Sequence, residues 1–163
     1  DVAGSAIMST WEGSRPMLVE VQALVDKSYA PQARRVVSGM EQNRLAILLA
    51  VLHRHGGIGT FDQDVFINVV GGVKVTETAS DLAIIVAVVS SLRNRIFASD
   101  SIIFGEIGLS GEIRPVQSGQ ERIREAQKHG FAKAYVPKAN VPKVAMDIEV
   151  ISLQHIEDIL RVI

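Results

Sequence analysis

The sequence predicts a two-layer α/β (α+β) domain in which helices cover a mixed sheet. Three observations carry this expectation. Two Val/Leu/Ile-rich segments joined by a short turn open the chain, and strand-like and helix-like patterns alternate after them. Hydrophobic residues fill 47% of the 163 positions against 21% charged. A chain of that size buries roughly 70% of the surface its unfolded form exposes, so one core and a single domain over residues 1–163 are expected.

Taken in order, Ser5 to Trp11 and Met17 to Val25 read as an antiparallel pair around the turn Glu12-Gly13-Ser14-Arg15-Pro16. The polar run Lys27 to Arg35, with Pro31 inside it, reads as a loop or irregular edge. Ser38 and Glu41 have the spacing of a capping box, and Leu45, Leu48, Leu49 and Leu52 then recur with helical period, so a helix is expected to end before Gly56-Gly57. Val65 to Val70 is an apolar run suited to a buried strand. Thr78 to Asp81 repeats the capping-box pattern ahead of Leu82 to Leu92, which is apolar on nearly every face and therefore predicts a central helix. Ser101 to Ile107 predicts a strand, Gly108 to Gly111 a turn, and Glu112 to Val116 its partner. A third capping-box pattern, Ser118 to Glu121, opens an amphipathic helix to His129 that Gly130 terminates. Ala132 to Val136 and Glu149 to Ser152 predict short strands, and Ile156, Ile159, Leu160 and Ile163 a last short helix.

Composition removes several function classes. There is no cysteine, which excludes disulfides, thiolate zinc sites, iron–sulfur clusters and cysteine nucleophiles. The net charge of −1 and pI near 6.5 exclude a surface that is basic all round. Asp1 to Ser9 does not read as a signal peptide, and the longest apolar stretch, Leu82 to Val89, is far short of the ~20 residues of a membrane span. A start at Asp1 rather than Met suggests a domain cut from a longer chain.

Candidate chemistry is sparse. His53 and His55 lie two apart on an expected helix, about 200° around it, so they cannot share a metal as i, i+4 ligands do; His129 and His155 stand alone. No Walker A pattern, dinucleotide fingerprint or HExxH appears, and Gly71-Gly72, Gly105 and Gly108 read as turn or bulge residues. Glu77 and Asp81 flank a helix start, where acidic groups complement the helix dipole and cap it. Ser80 presents a hydroxyl beside backbone N–H groups that would suit an oxyanion hole, but it needs a base. Charge is unevenly spread: from 27 to 54 the cations Lys27, Arg34, Arg35, Arg44 and Arg54 face one acid, Glu41, giving +4, while the remainder sums to −5. Such a stretch can hold a phosphate backbone, and Arg93 and Arg95 extend it.

Two stretches, DVFINVVGGVKVTETASDLA at 64–83 and GEIGLSGEIRPVQSGQERI at 105–123, resemble the proteolytic-domain fold of Lon proteases, in the ribosomal protein S5 domain 2-like group. GMEQNRLAILLAVLHRHGG at 39–57 narrows the likeness to the Lon-like C-terminal domain of a family of bacterial DNA repair ATPases. The resemblance runs over essentially the whole chain. In active Lon enzymes the nucleophilic serine opens the central helix and a lysine further on is its base; aligned without gaps, those positions are Ala79 and Gln120, so both members of the dyad are missing. Ser80 is the alternative nucleophile, displaced by one residue and so rotated about 100°. Gln120 has no lone pair basic enough to activate it, an arginine such as Arg122 stays protonated, and Lys74 lies ahead of the helix.

The resemblance implies a parent with a zinc finger, a RecA-like ATPase core and this domain, assembled as a hexameric ring that drives branch migration during recombinational repair. ATP with magnesium, and zinc, belong to the other parts of that parent; no cofactor or metal is expected in this domain. Expected partners are further copies of the chain, single-stranded or branched DNA and recombination proteins, with no membrane, in the bacterial cytoplasm and on the nucleoid when DNA is bound. The expected role is a non-catalytic scaffold with a DNA-contacting surface from Lys27, Arg34, Arg35, Arg44, Arg54 and Arg93. The alternatives are a degenerate but active Ser/Lys peptidase using Ser80, and a relic groove that docks a peptide or partner protein.

Overall fold

The computed structural model describes residues 2–163. Strands Ser5–Glu12 (β1) and Arg15–Lys27 (β2) form the opening antiparallel hairpin. Arg35–Ser38 (β3), helix Gln42–Gly56 (α1) and Gln63–Val69 (β4) follow. Helix Asp81–Arg93 (α2) precedes Ser101–Ile103 (β5) and the two-residue strands Glu106–Ile107 (β6) and Ile113–Arg114 (β7). Gly119–Lys128 (α3), Lys133–Pro137 (β8), Glu149–Leu153 (β9) and Ile156–Leu160 (α4) complete the chain.

Seven strands form one mixed sheet in the order β3-β4-β2-β1-β5-β8-β9, and β6 pairs with β7 beside it. The β2–β1 and β2–β4 pairs are antiparallel; β3–β4, β1–β5, β5–β8 and β8–β9 are parallel. Strand side chains alternate between faces. Met8, Val21, Ile67, Ile103 and Tyr135 therefore share a large core with α1, α2 and α4, while Ile102, Phe104, Ala134 and Val136 pack with Ile123 and Ala126 of α3. The expected two layers are thus three where α3 covers the opposite face. Beyond α3's reach, at the β2–β4–β3 end, that face is bare and Leu24 and Val36 are exposed.

Every residue of α2 from Asp81 to Ser90 is buried, as its all-round apolarity requires, so this helix is the centre of the domain. Asn94, in the left-handed conformation, ends it, and Gly57 does the same for α1.

Four local expectations need correction. Val36 and Val37 belong to a short parallel edge strand, β3, which the polar residues and proline ahead of it obscured. None of the three capping-box patterns forms: Ser38 is paired with Asn68 in the sheet, Thr78–Ser80 is already a 3-10 turn, and Ser118 adopts φ 61° with its side chain making no cap bond. The capping box that does form is at His155, whose ring accepts from the Glu157 N–H while Asp158 accepts from the backbone N–H of His155. The expected strand from Ser101 to Ile107 is broken at Gly105, whose φ of 153° bends the chain from β5 into β6.

Candidate functional site

The first turn of α2 is where the fold concentrates buried charge. Asp81 is wholly buried and accepts a bidentate contact from Arg44 of α1, with Nε at 2.9 Å and Nη2 on the other oxygen. It also accepts the backbone N–H of Ile107 in β6 at 3.0 Å, while Arg44 donates to the Ile107 carbonyl at 3.2 Å. One carboxylate thereby ties α1, α2 and β6 together. Burial pushes the Asp81 carboxyl above its ordinary range, against the pull of Arg44 and the Ile107 N–H.

Four residues earlier, Glu77 is paired just as closely with Arg122 of α3, at 2.7 and 2.9 Å. The Arg122 guanidinium is 3% exposed, donates to the carbonyls of Ser9 and Gln117, and lies about 5.9 Å from the Trp11 ring centre and 5.8 Å from that of Phe104. Thr10 Oγ1 and the Trp11 N–H add hydrogen bonds to Glu77. Burial alone would raise the Glu77 carboxyl, but Arg122, Trp11 and Thr10 together outweigh it and hold the group below its usual range. Glu77 and Asp81 therefore act chiefly as partners of arginines, and neither caps a helix with its side chain.

Two cavities of about 340 Å³ flank this turn. Trp11, Glu77, Ala79, Glu106, Ser118 and Arg122 line one; Met40, Arg44, Lys74, Glu77 and Ser80 line the other. Gly105 holds the turn from behind, accepting from Leu82 N and donating to Ala79 O, and a Cβ there would stand 2.6 Å from Leu82 Cδ1. Ala79 brings only a methyl group to the first cavity. Ser80 Oγ is buried and donates to the Glu77 carbonyl at 2.8 Å, a contact that supplies no base. Lys74 lines the same cavity as Ser80 without hydrogen bonding to it. Gln120 is not brought to Ala79: it lines a separate groove with Arg124, Lys128 and residues 144–147. A guanidinium offers no lone pair to act as a general base. Chemically, the arrangement fixes charge in place.

Of the six cations expected on one DNA-facing surface, two are engaged within the domain. Arg44 is spent on Asp81, and Arg93 donates to the carbonyls of Leu160 and Ile163. Arg35 donates to Gln63 O and Thr60 O, and Arg34, 63% exposed at its side chain, pairs with Asp64 at 3.1 Å. Lys27 and Arg54 are exposed. His55 meets His155 edge-on with ring centres 6.4 Å apart, away from His53. Among the described residues no group of three or more His, Asp or Glu side chains is placed to hold a metal, and no helix is long and apolar enough to cross a membrane.

A second basic stretch went unread. From 114 to 143 there are seven Lys and Arg against two Glu, a net +5. Arg122 is the buried member; Arg124, Lys128, Lys138 and Lys143 are exposed, with Arg124 and Lys128 along the groove that α3 forms with residues 144–147. Counting charge over the second half of the chain would have found it.

A family model described as Subunit ChlI of Mg-chelatase matches residues 15–140. Among curated proteins, "DNA repair protein RadA" of Pseudomonas aeruginosa is 66% identical over 98% of this chain and 35% of its own length. RadA of Escherichia coli is 62% identical over 98% and 35%, and RadA of Aquifex aeolicus 45% over 98% and 36%. The chain thus spans about a third of the length of the curated relatives it matches.

Proposed function

The chain belongs to the family described as Subunit ChlI of Mg-chelatase and is a RadA-type C-terminal domain; from that premise we propose that it serves DNA repair as a non-catalytic scaffold, with a Lon-like fold, that joins subunits of its parent and offers phosphate-binding cations to DNA. The single observation that carries the non-catalytic part is the commitment of Ser80 Oγ to the Glu77 carbonyl beside an alanine at position 79. A hydrolase needs a hydroxyl and a base within about 3 Å of each other. Here the carboxylates beside the turn are held by arginines, and Lys74, which lines the same cavity, makes no hydrogen bond to Ser80.

The DNA-contacting role rests on the RadA relatives' printed name and on the exposed cations of α3 and the segment after β8, Arg124, Lys128, Lys138 and Lys143. Arg44 and Arg93 belong to the domain's internal bonding, so the proposed surface no longer includes them. Ring assembly and an ATPase core belong to the parent, and the present domain contributes contacts to both.

The test is the salt dependence of DNA binding by the full-length parent. Each phosphate contact contributes about 0.9 to the slope of log K against log salt. Replacing Arg124, Lys128 and Lys138 together by Ala is expected to lower that slope by about 2 to 3 while leaving thermal stability in place. An unchanged slope removes the DNA part of the proposal. Assembly, measured by light scattering, should weaken when the domain is deleted, and unaltered assembly removes the scaffold part.

A further inference from the structure

We propose that the open end of the β2–β4 ladder is a stacking platform for single-stranded nucleic acid, with Tyr29 and Phe61 as the faces on which bases lie. This rests on the DNA-contacting reading above and assigns it a second site with a different chemistry.

The register leads directly to the pair. Val25 faces Val65, Asp26 faces Asp64 and Lys27 faces Gln63, and Ser28 N then donates to Asp62 O at 2.9 Å, carrying the pairing one step past the strands. Tyr29 and Phe61 come next, one beyond the end of each strand. At 89% and 83% exposed they are the most exposed large apolar side chains among the described residues. Two aromatics so exposed, flanking the end of one ladder, add nothing to the core and are free to meet a ligand.

Strand alternation sorts the charge around them. Val25 and Val65 point into the main core, so Lys27 and Gln63 take the α1 side, and Asp26 and Asp64 take the opposite face. Lys27 Nζ stands 5.9 Å from the Tyr29 ring centre, consistent with a shared side. Phe61 borders a groove of about 280 Å³ floored by Ala46, Ala50 and Gly59 beside His53 of α1. Arg35 donates to the carbonyls of Thr60 and Gln63 and so pins the turn that presents Phe61. Exposed Arg54 lies in the same last turn of α1 as His53. Lys27 and the two aromatics thus lie toward the α1 side, with exposed Arg54 at the end of that helix, while Asp64 on the other face is paired with Arg34, which stands 5.5 Å from the Phe66 ring centre. Aromatic faces among cations suit unpaired bases and their phosphates; bases stacked within a duplex are out of reach.

The experiment uses the full-length parent, fluorescein-labelled dT20 and a 20-base-pair duplex, read by anisotropy. Tyr29→Ala and Phe61→Ala are each expected to weaken dT20 binding by between roughly five- and a hundredfold, with duplex affinity unchanged, and Tyr29→Trp to retain it. Both side chains are exposed, so melting temperatures should not move. Equal loss on both nucleic acids, no loss on either, or displacement of dT20 by poly-glutamate as effective as by unlabelled dT20 would each overturn the stacking proposal. Failure of the unmodified parent to bind either nucleic acid is the separate result that removes the underlying DNA reading.

Discussion

Replacing Arg44 by Met leaves the Asp81 carboxylate buried with only the Ile107 N–H as partner. Removing one member of a buried ion pair costs about 3–5 kcal/mol, because the other charge is stranded in a poorly polarisable interior. At this chain length 1 kcal/mol shifts the melting temperature by roughly 2–4 °C, so a fall of about 6–20 °C is expected by circular dichroism or calorimetry. The double replacement Arg44→Met with Asp81→Leu removes both charges and should recover most of that loss. The pH dependence has a fixed sign. Burial already raises the folded-state carboxyl above its unfolded value, and losing Arg44 raises it further. A group that binds protons more tightly in the folded state costs stability as pH rises through that window, so the defect should be largest near neutrality and shrink on acidification. An Arg44→Met variant that melts within 2 °C of the parent, yet lowers the DNA salt slope by about 0.9, would refute the reasoning and return Arg44 to the DNA surface.

Glu77→Gln strands Arg122 instead, and a loss of about 3–5 kcal/mol is expected by urea unfolding at neutral pH. The depressed Glu77 carboxyl contributes stability above its unfolded value, lost as pH falls through the folded one, so the variant should also flatten the acid limb of the stability profile; an unchanged limb counts against the pair. Gly105→Ala drives a methyl to within 2.6 Å of Leu82 Cδ1 at a backbone angle that favours glycine, and should destabilise by about 1–3 kcal/mol in the same measurement. Ile85→Ala, in the middle of α2, should cost about 2–5 kcal/mol through the cavity it leaves; a smaller loss would mean the core around α2 collapses to fill it.

Much of this fold is legible in the chain because periodicity survives burial. The all-apolar stretch from Leu82 announces a central helix, and the leucine period from Leu45 announces α1, since both patterns follow from which faces must avoid water. Layering was not legible: the Ile102 and Ile103 neighbours look alike in sequence, and only the parallel crossover that sends α3 over the far face separates them into two cores. The capping patterns misled for a physical reason. Ser, Thr and Glu at that spacing compete for sheet pairing and turn hydrogen bonds, and at Ser38 and Thr78 those competitors won. At the site, Glu77, Asp81, Ala79 and Ser80 stand out as sequence, but their arginine partners lie 37 and 45 positions away, and contacts over that distance exist only once the chain has folded.

Incubating an unfolded protein such as reduced, alkylated casein with this domain and with its Ser80→Ala variant bears most directly on whether the turn before α2 holds or cuts. With Ser80 Oγ bound to the Glu77 carbonyl, neither protein should release peptides above the buffer blank. Hydrolysis by the unmodified domain that vanishes in Ser80→Ala would contradict the scaffold account outright.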